Sequence, residues 1–271
     1  TSHNRLADIQ SCSLQTGQWS LWTPVTSANT PGGRYGHSAV YAGSNRYMLV
    51  YGGFEASGQH VNALYGFDMT AGDWVAALST ASSMPGRSNH AAVVNSDSTI
   101  MYIHGGQNTV TPSLSDLWMY DIGADAWGLL APQSTGPGIR YHHAAVWAGA
   151  CMLIYGGLQN QDSEADHYLW CYDPAANRWM IDTSAGGTPP TGKIWQNHAA
   201  VDGDTMYISG GQMPTTTDRT FSYVTPWTFQ TSTTTSTATT STTTSATTRS
   251  TTTSTATTST TTSATTSATT T

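Results

Sequence analysis

The chain has 271 residues, a formal net charge of -7 and only 9% charged side chains. Nine basic residues dispersed among sixteen acids build no field able to hold a phosphate backbone or an anionic membrane surface, so nucleic acid is excluded as a partner. No run is long and apolar enough to span a bilayer, and three cysteines are too few for a disulfide scaffold.

In chain order, the first element is a strand, turn and strand over residues 9–19, Ile-Gln-Ser-Cys-Ser-Leu-Gln-Thr-Gly-Gln-Trp. The repeat downstream gives it meaning. A histidine-led strand runs into a Gly-Gly pair and then on to a tryptophan four times: His37/Gly52-Gly53/Trp74, His90/Gly105-Gly106/Trp127, His143/Gly156-Gly157/Trp179 and His198/Gly210-Gly211/Trp227. The histidines lie 53, 53 and 55 residues apart, and a period of that size marks a propeller or an array. Within each copy short alternating runs separated by turn residues read as half-buried strands. The first follows the histidine, and the second runs into the glycines, as in Met-Leu-Val-Tyr-Gly-Gly at 48–53 and Met-Tyr-Ile-Ser-Gly-Gly at 206–211. The third ends in aromatic-Asp at Phe67-Asp68, Tyr120-Asp121 and Tyr172-Asp173, and the tryptophan opens the fourth. No stretch shows a useful helical period.

The double glycine, the aromatic-Asp pair and the closing tryptophan resemble the kelch repeat over about residues 34–227. That resemblance implies an all-β fold, a kelch-type β-propeller with one four-stranded blade per repeat around a central channel. Four complete blades are expected, preceded by a partial N-terminal blade in which residues 9–19 supply the third and fourth strands. Copy four departs from the pattern, with its third strand cut to Phe221-Ser222-Tyr223-Val224 and Pro226 just before Trp227. Further blades upstream, or a four-bladed ring with a hairpin added at its side, both accommodate the half blade. The domain boundaries are then 1–33 for the partial blade and linker, 34–230 for the four kelch blades and 231–271 for an extended, non-globular tail. Physically, the glycines permit backbone angles closed to other residues and close approach of a neighbour, and the indoles are core anchors.

The tail contains only Thr, Ser and Ala apart from Arg249, and Ser232–Thr248 recurs residue for residue at Ser250–Thr266. It has almost no apolar surface to offset an ordering cost of about 1–2 kcal/mol per residue, so unmodified it is expected to be disordered. Dense hydroxyls read instead as an O-glycosylated stalk, able to reach roughly 130 Å when extended. The candidate acceptors are Thr233, Thr234, Thr235, Ser236, Thr242, Thr243, Thr244, Thr251, Thr252, Thr253, Thr260, Thr261 and Thr262. No Asn-x-Ser/Thr sequon occurs, so either any glycan is O-linked or the protein lives where N-glycosylation does not matter.

Candidate sites are few. The loops 54–63, 107–116 and 158–167 join second to third strands and so emerge on one face, offering Phe54, Glu55, Gln59, His60, Gln107, Asn108, Gln159, Asn160 and Asp162 to a protein or glycan ligand. Arg34, Arg87 and Arg140 each stand three places before a repeat histidine. They are scaffold positions or, alternatively, an arginine-lined channel mouth for acidic groups, with Trp195 replacing the arginine in copy four. Asp162, Glu164, Asp166 and His167 form an acidic loop that is either solvated or a hard-cation site. His142 and His143, read as neighbours in one strand, point to opposite faces and do not share a metal. Cys151 and Cys171 fall opposite each other if their strands form a hairpin centred near 161, giving either a cross-strand disulfide or two small buried hydrophobes, and Cys12 is left without a partner. No catalytic or phosphate-loop motif occurs.

These features point to a non-enzymatic interaction or structural module of an extracellular or cell-surface protein, with no cofactor and no metal. The alternatives are a subunit of a glycoprotein fibre, with self-assembly, and a secreted copper enzyme similar to galactose oxidase. That last reading needs a Tyr, His and Cys set outside the repeat, and no such set stands out.

Overall fold

The computed structural model describes residues 5–211 except 24–28, 44–45, 76–77, 79–83, 161–164, 167, 182–194, 204 and 210. The expected outer strands of copy four, Gly210, Trp227 and the Ser/Thr tract lie outside the described residues. The chain divides into two compact units, Thr1–Phe229 and Gln230–Thr271, the second wholly outside them.

The alternating runs form strands, and the turn chemistry sets where they stop. β1 (Ile9–Cys12) and β2 (Trp19–Trp22) pair as an antiparallel hairpin. The first blade holds β4 (Ser38–Ala42), β5 (Tyr47–Tyr51), β7 (Leu64–Asp68) and β8 (Asp73–Trp74) in that spatial order, with β3 (Arg34–Tyr35) pairing separately with β6 (Phe54–Glu55). The second blade is β9 (Ala91–Val94), β10 (Ile100–His104), β11 (Leu117–Asp121) and β12 (Ala126–Leu130). The third is β13 (Ala144–Ala148), β14 (Cys151–Tyr155), β15 (Trp170–Asp173) and β16 (Arg178–Ile181). Of the fourth, the described residues give β17 (His198–Asp202) and β18 (Thr205–Ser209). The first three blades are antiparallel meanders, and the innermost strands stand side by side in the order β4, β9, β13, β17. Among the described residues no helix is long and apolar enough to cross a membrane.

The aromatic-Asp pair has a plain job. Asp68 Oδ1 accepts the amides of Thr70 and Ala71, Asp121 Oδ1 that of Ala124, and Asp173 Oδ1 those of Ala175 and Ala176, so each aspartate builds the turn between third and fourth strands. These two amide bonds hold the Asp68 carboxyl below its ordinary range. The preceding aromatic then lies directly opposite the repeat tryptophan, as Phe67 opposite Trp74, Tyr120 opposite Trp127 and Tyr172 opposite Trp179.

The core lies between blades. Trp127 packs on Tyr51 of the preceding blade with ring centroids 5.1 Å apart, and Trp179 on His104 at 5.4 Å. The indoles thus sit on the residue just before the double glycine and not on the glycines themselves. What approaches the glycines is backbone and imidazole from the next blade. Gly53 and Gly106 donate to the carbonyls of Arg87 and Arg140 at 2.8 Å, while a Cβ placed on Gly52 or Gly105 would meet those carbonyls at 2.7 and 2.5 Å and the His90 or His143 ring at 3.0 Å. Both glycines of the first three pairs also have φ between 66° and 100°.

Cys151 and Cys171 are joined by a disulfide with Cα atoms 5.6 Å apart. The hairpin is centred one residue later than the sequence spacing indicates: Leu153 stands opposite Cys171, and the bridge runs diagonally across β14 and β15. Cys12 is free.

Candidate binding face

The strands place the starts of β4, β9, β13 and β17 and the ends of β5, β10, β14 and β18 at one end of the channel. There a cavity of about 400 Å³ opens, walled by Ala39, Ala92, Ala145, Ala199 and Ser38 and carrying imidazoles and amides at its rim. The rim is a backbone arc: Asn89 N–H donates to the Gly36 carbonyl, His142 N–H to Asn89, and Gln196 N–H to His142, at 2.7–2.9 Å. All four residues have positive φ. His142 is therefore a bend residue ahead of β13, and the expected strand geometry for His142 and His143 does not apply.

This arc corrects the alignment of the fourth copy. Gln196 occupies the place of Gly36, Asn89 and His142, so Asn197 corresponds to His37, His90 and His143, while His198 begins β17 as Ala144 begins β13. Trp195 is level with Tyr35, Ser88 and Tyr141 and not with the arginines. The sequence match His-Ala-Ala-Val hides a one-residue shift, because an alanine-rich strand gives alignment little to hold.

The arginines do not line the mouth. Arg87 and Arg140 are fully buried and Arg34 nearly so. Each donates Nη1 to the first glycine carbonyl of its own blade, Gly52, Gly105 or Gly156, at 2.9 Å, and pairs with an acid from its own second-to-third-strand loop. The pairs are Arg34–Glu55 at 2.6 Å, Arg87–Asp116 at 2.7 Å and Arg140–Asp166 at 3.0 Å. Asp116 and Asp166 also accept the indole N–H of Trp118 and Trp170. Burial pushes the Asp116 carboxyl up, but the hydrogen bond and charge of Arg87 more than reverse it, so it stays ionised. Sequence reasoning missed this arginine, carboxylate and indole set; the arginine spacing was visible, but the acids fall at different depths of their loops.

The candidate loop residues sort accordingly. Glu55 is held in its ion pair, Phe54 packs between Tyr35 and His60, and Gln107 forms a bridge with Ser88. Asn108 Oδ1 caps its own turn by accepting the amides of Val110 and Thr111. Gln159 is half-buried and Asn160 exposed, following Leu158, which bridges to Tyr141. Asp162, Glu164 and His167 lie outside the described residues, and Asp166 is spoken for by Arg140. The exposed tips left to a partner include Gln59 and Val110.

Burial, with Arg34 nearby, lowers the His37 pKa; burial and then Arg87 lower that of His90 to about 3; burial and then His104 hold His143 well below its ordinary value. At neutral pH the His37, His90 and His143 imidazoles are therefore uncharged, and no acid or arginine side chain lines the cavity. It can exchange hydrogen bonds with a neutral polar group. Among the described residues no cluster of three His, Cys, Asp or Glu has the geometry of a metal site.

Residues 58–262 match the KLHDC2/KLHL20/DRC7 kelch-repeats domain, and residues 1–110 match the attractin/LZTR1 β-propeller. This chain belongs to the kelch-repeat β-propeller family. It is 27% identical to mouse multiple epidermal growth factor-like domains protein 8 over 75% of its length, and 26% identical to human Kelch domain-containing protein 3 over 74%. An Arabidopsis thaliana acyl-CoA-binding domain-containing protein 4 is 26% identical over 64% of the chain. The aligned stretches span 8%, 53% and 25% of those relatives.

Proposed function

We propose that the propeller is a non-enzymatic protein-interaction module of an extracellular protein, displayed on an O-glycosylated Ser/Thr stalk. The carrying observation is the loop face: a rim of imidazoles and amides, held rigid by buried Arg–carboxylate pairs, with exposed tips such as Gln59 and Val110 around it. Rigid blades and variable loops are what a recognition surface requires. The Cys151–Cys171 bridge suits an oxidising compartment, and the mouse relative's name carries EGF-like domains, which are disulfide-dense secreted modules. Thr233, Thr242, Thr251, Thr260 and their neighbours are the proposed glycan acceptors.

Two measurements test this reading. Glycopeptide mass spectrometry of chain secreted from eukaryotic cells should find hexose or hexosamine on residues 231–271, and a bare tail would remove the stalk. For the face, the double variant Gln59→Arg/Val110→Arg should abolish cross-linking to cell-surface proteins, whereas Leu129→Arg on the outer strand β12 should leave it intact; equal retention by both would place the interaction elsewhere.

A further inference from the structure

Four bends carry the rim of the channel mouth, and they are not alike. Gly36, Asn89, His142 and Gln196 hold equivalent places ahead of β4, β9, β13 and β17, all with φ between 56° and 66°. Glycine adopts that region freely, whereas a residue with a Cβ is strained there, histidine and glutamine more than asparagine. Gly36 shows that the bend itself needs no side chain. Three blades nevertheless carry a polar one. The bonds that close the arc use main-chain atoms, and the side-chain amides of Asn89 and Gln196 make no hydrogen bond among the described residues. Asn89 Oδ1 lies over Gly36, 2.5 Å from where a Cβ would stand, so the bare glycine leaves the mouth open on that side.

The next residue of each copy is His37, His90, His143 or Asn197, and all four line the cavity. Asn197 is 6% exposed with neither amide atom paired, and the Nδ1 atoms of His90 and His143 are buried and unpaired as well. Their Nε2 atoms are engaged, with Ser38 Oγ at 2.8 Å and His104 Nδ1 at 3.3 Å. Unpaired buried polar groups are costly, so this mouth favours a polar occupant. Further along the strands the wall turns apolar, with the methyls of Ala39, Ala92, Ala145 and Ala199. Among the described residues no Asp, Glu, Lys or Arg lines the cavity, Arg34, Arg87 and Arg140 being held by their own carboxylates. A phosphate, a carboxylate or a chain terminus would bring a charge that nothing there neutralises. The volume of about 400 Å³ is at the small end of the ~300–1,000 Å³ typical of small-molecule sites, room for one compact group.

We propose that the channel mouth is a binding site for a neutral sugar residue carrying an acetamido group, an N-acetylhexosamine at the end of a glycan. This rests on the reading of the loop face as a recognition surface and names what that face takes at its centre. The Asn89 and Gln196 amides each offer donors and an acceptor, which is what a neighbouring hydroxyl pair or an acetamido group requires. The acetamido methyl packs on the alanine wall. Tyr35, beside Gly36 and 52% exposed, gives the sugar ring an aromatic flank. A peptide also offers neutral amides, but its ends are charged, so an internal segment has to enter and leave the cavity. A terminal sugar residue enters alone.

The test uses the full chain made in the bacterial periplasm, so that its tail brings no sugar of its own, at pH 7.5. Calorimetric titration and saturation-transfer NMR with the methyl glycosides of N-acetylglucosamine and N-acetylgalactosamine should give a Kd on the order of 1 mM for at least one of them. Methyl glucoside, methyl galactoside and N-acetylneuraminic acid should bind at least about tenfold more weakly. Asn89→Gly/Gln196→Gly should lose at least about tenfold in affinity yet melt no lower than the parent chain, because glycine suits both bends. Ala39→Phe, at an exposed wall position, should block the cavity and abolish binding. Failure of both N-acetylhexosamines to bind overturns the proposal, as does binding that survives both variants or is matched by N-acetylneuraminic acid or by an acetylated and amidated neutral peptide. If no sugar binds while Gln59→Arg/Val110→Arg still abolishes cross-linking, the sugar site falls and the protein-interaction face stands. If the sugar binds and cross-linking persists in that variant, the sugar site stands and the protein-interaction reading falls.

Discussion

At the residue scale the double glycine is a tight notch, its first glycine against the next blade and its second against the segment leading into its own blade's first strand. A Cβ on Gly106 would stand 2.8 Å from the Ser88 carbonyl oxygen and 2.9 Å from His90 Cβ, at a φ of 97° that L-residues rarely adopt. Gly58 shares a positive φ of 79° but faces open space. Gly106→Ala should therefore cost more than about 3 kcal/mol, combining strain with displacement of backbone, whereas Gly58→Ala should cost about 1 kcal/mol from conformation alone. Thermal melts of the two variants check this: at roughly 2–4 °C per kcal/mol for a chain of this size, Gly106→Ala should fall several times further. Equal shifts would mean that the notch is not tight. The glycines themselves were legible in the sequence because they recur; their partners were not, since Arg87 and His90 reach Gly52 and Gly53 only through blade-to-blade packing.

At the scale of the element, the seam between second and third blades holds two imidazoles. His104 Nδ1 and His143 Nε2 lie 3.3 Å apart, with the His104 ring also on Trp179. The surrounding charged or titratable groups are Arg87, Arg140, Asp116, His90 and His142. Burial, then Arg140, lowers the His104 pKa to about 3, and burial, then His104, lowers that of His143. The unfolded chain binds protons at these groups below about pH 6.5 while the folded chain does not, so stability is highest above that pH and is lost as pH falls toward 3. At pH 5 each such histidine should forfeit about 2 kcal/mol. Urea unfolding at pH 7.5 and 5.0 measures the slope, and His104→Tyr, the residue found at the equivalent positions 51 and 155, should flatten it. An unchanged slope would show that the seam does not exclude protons. Sequence spacing brought out His143 as a repeat residue but gave no reason to pair it with His104, which occupies a tyrosine position in the copies before and after.

At the scale of the molecule, stability is expected to grade along the array, because each blade is held chiefly by its neighbours. The second blade is packed on both sides; the β1–β2 hairpin has the first blade on one side and Trp19 and Leu21 bare on the other. Native-state hydrogen exchange should show β1 and β2 amides opening far more readily than those of β10. Uniform protection would contradict a bare face on the hairpin. The half blade was read from the sequence through its strand, turn and tryptophan, but its bare face was not, since exposure of Trp19 depends on what lies one blade away.

The sequence alone determined the all-β class, the strand order within each blade, the kelch kinship and the low-complexity tail, because these are written in local periodicity and in repetition at fixed spacing. Only the tertiary structure decided that the arginines are buried against Glu55, Asp116 and Asp166, that Asn197 takes the histidine place in the fourth copy, and that Cys151 meets Cys171 on a diagonal. Each of those depends on strand register and on contacts between segments distant along the chain, where a shift of one residue changes the partner and leaves the local pattern unaltered.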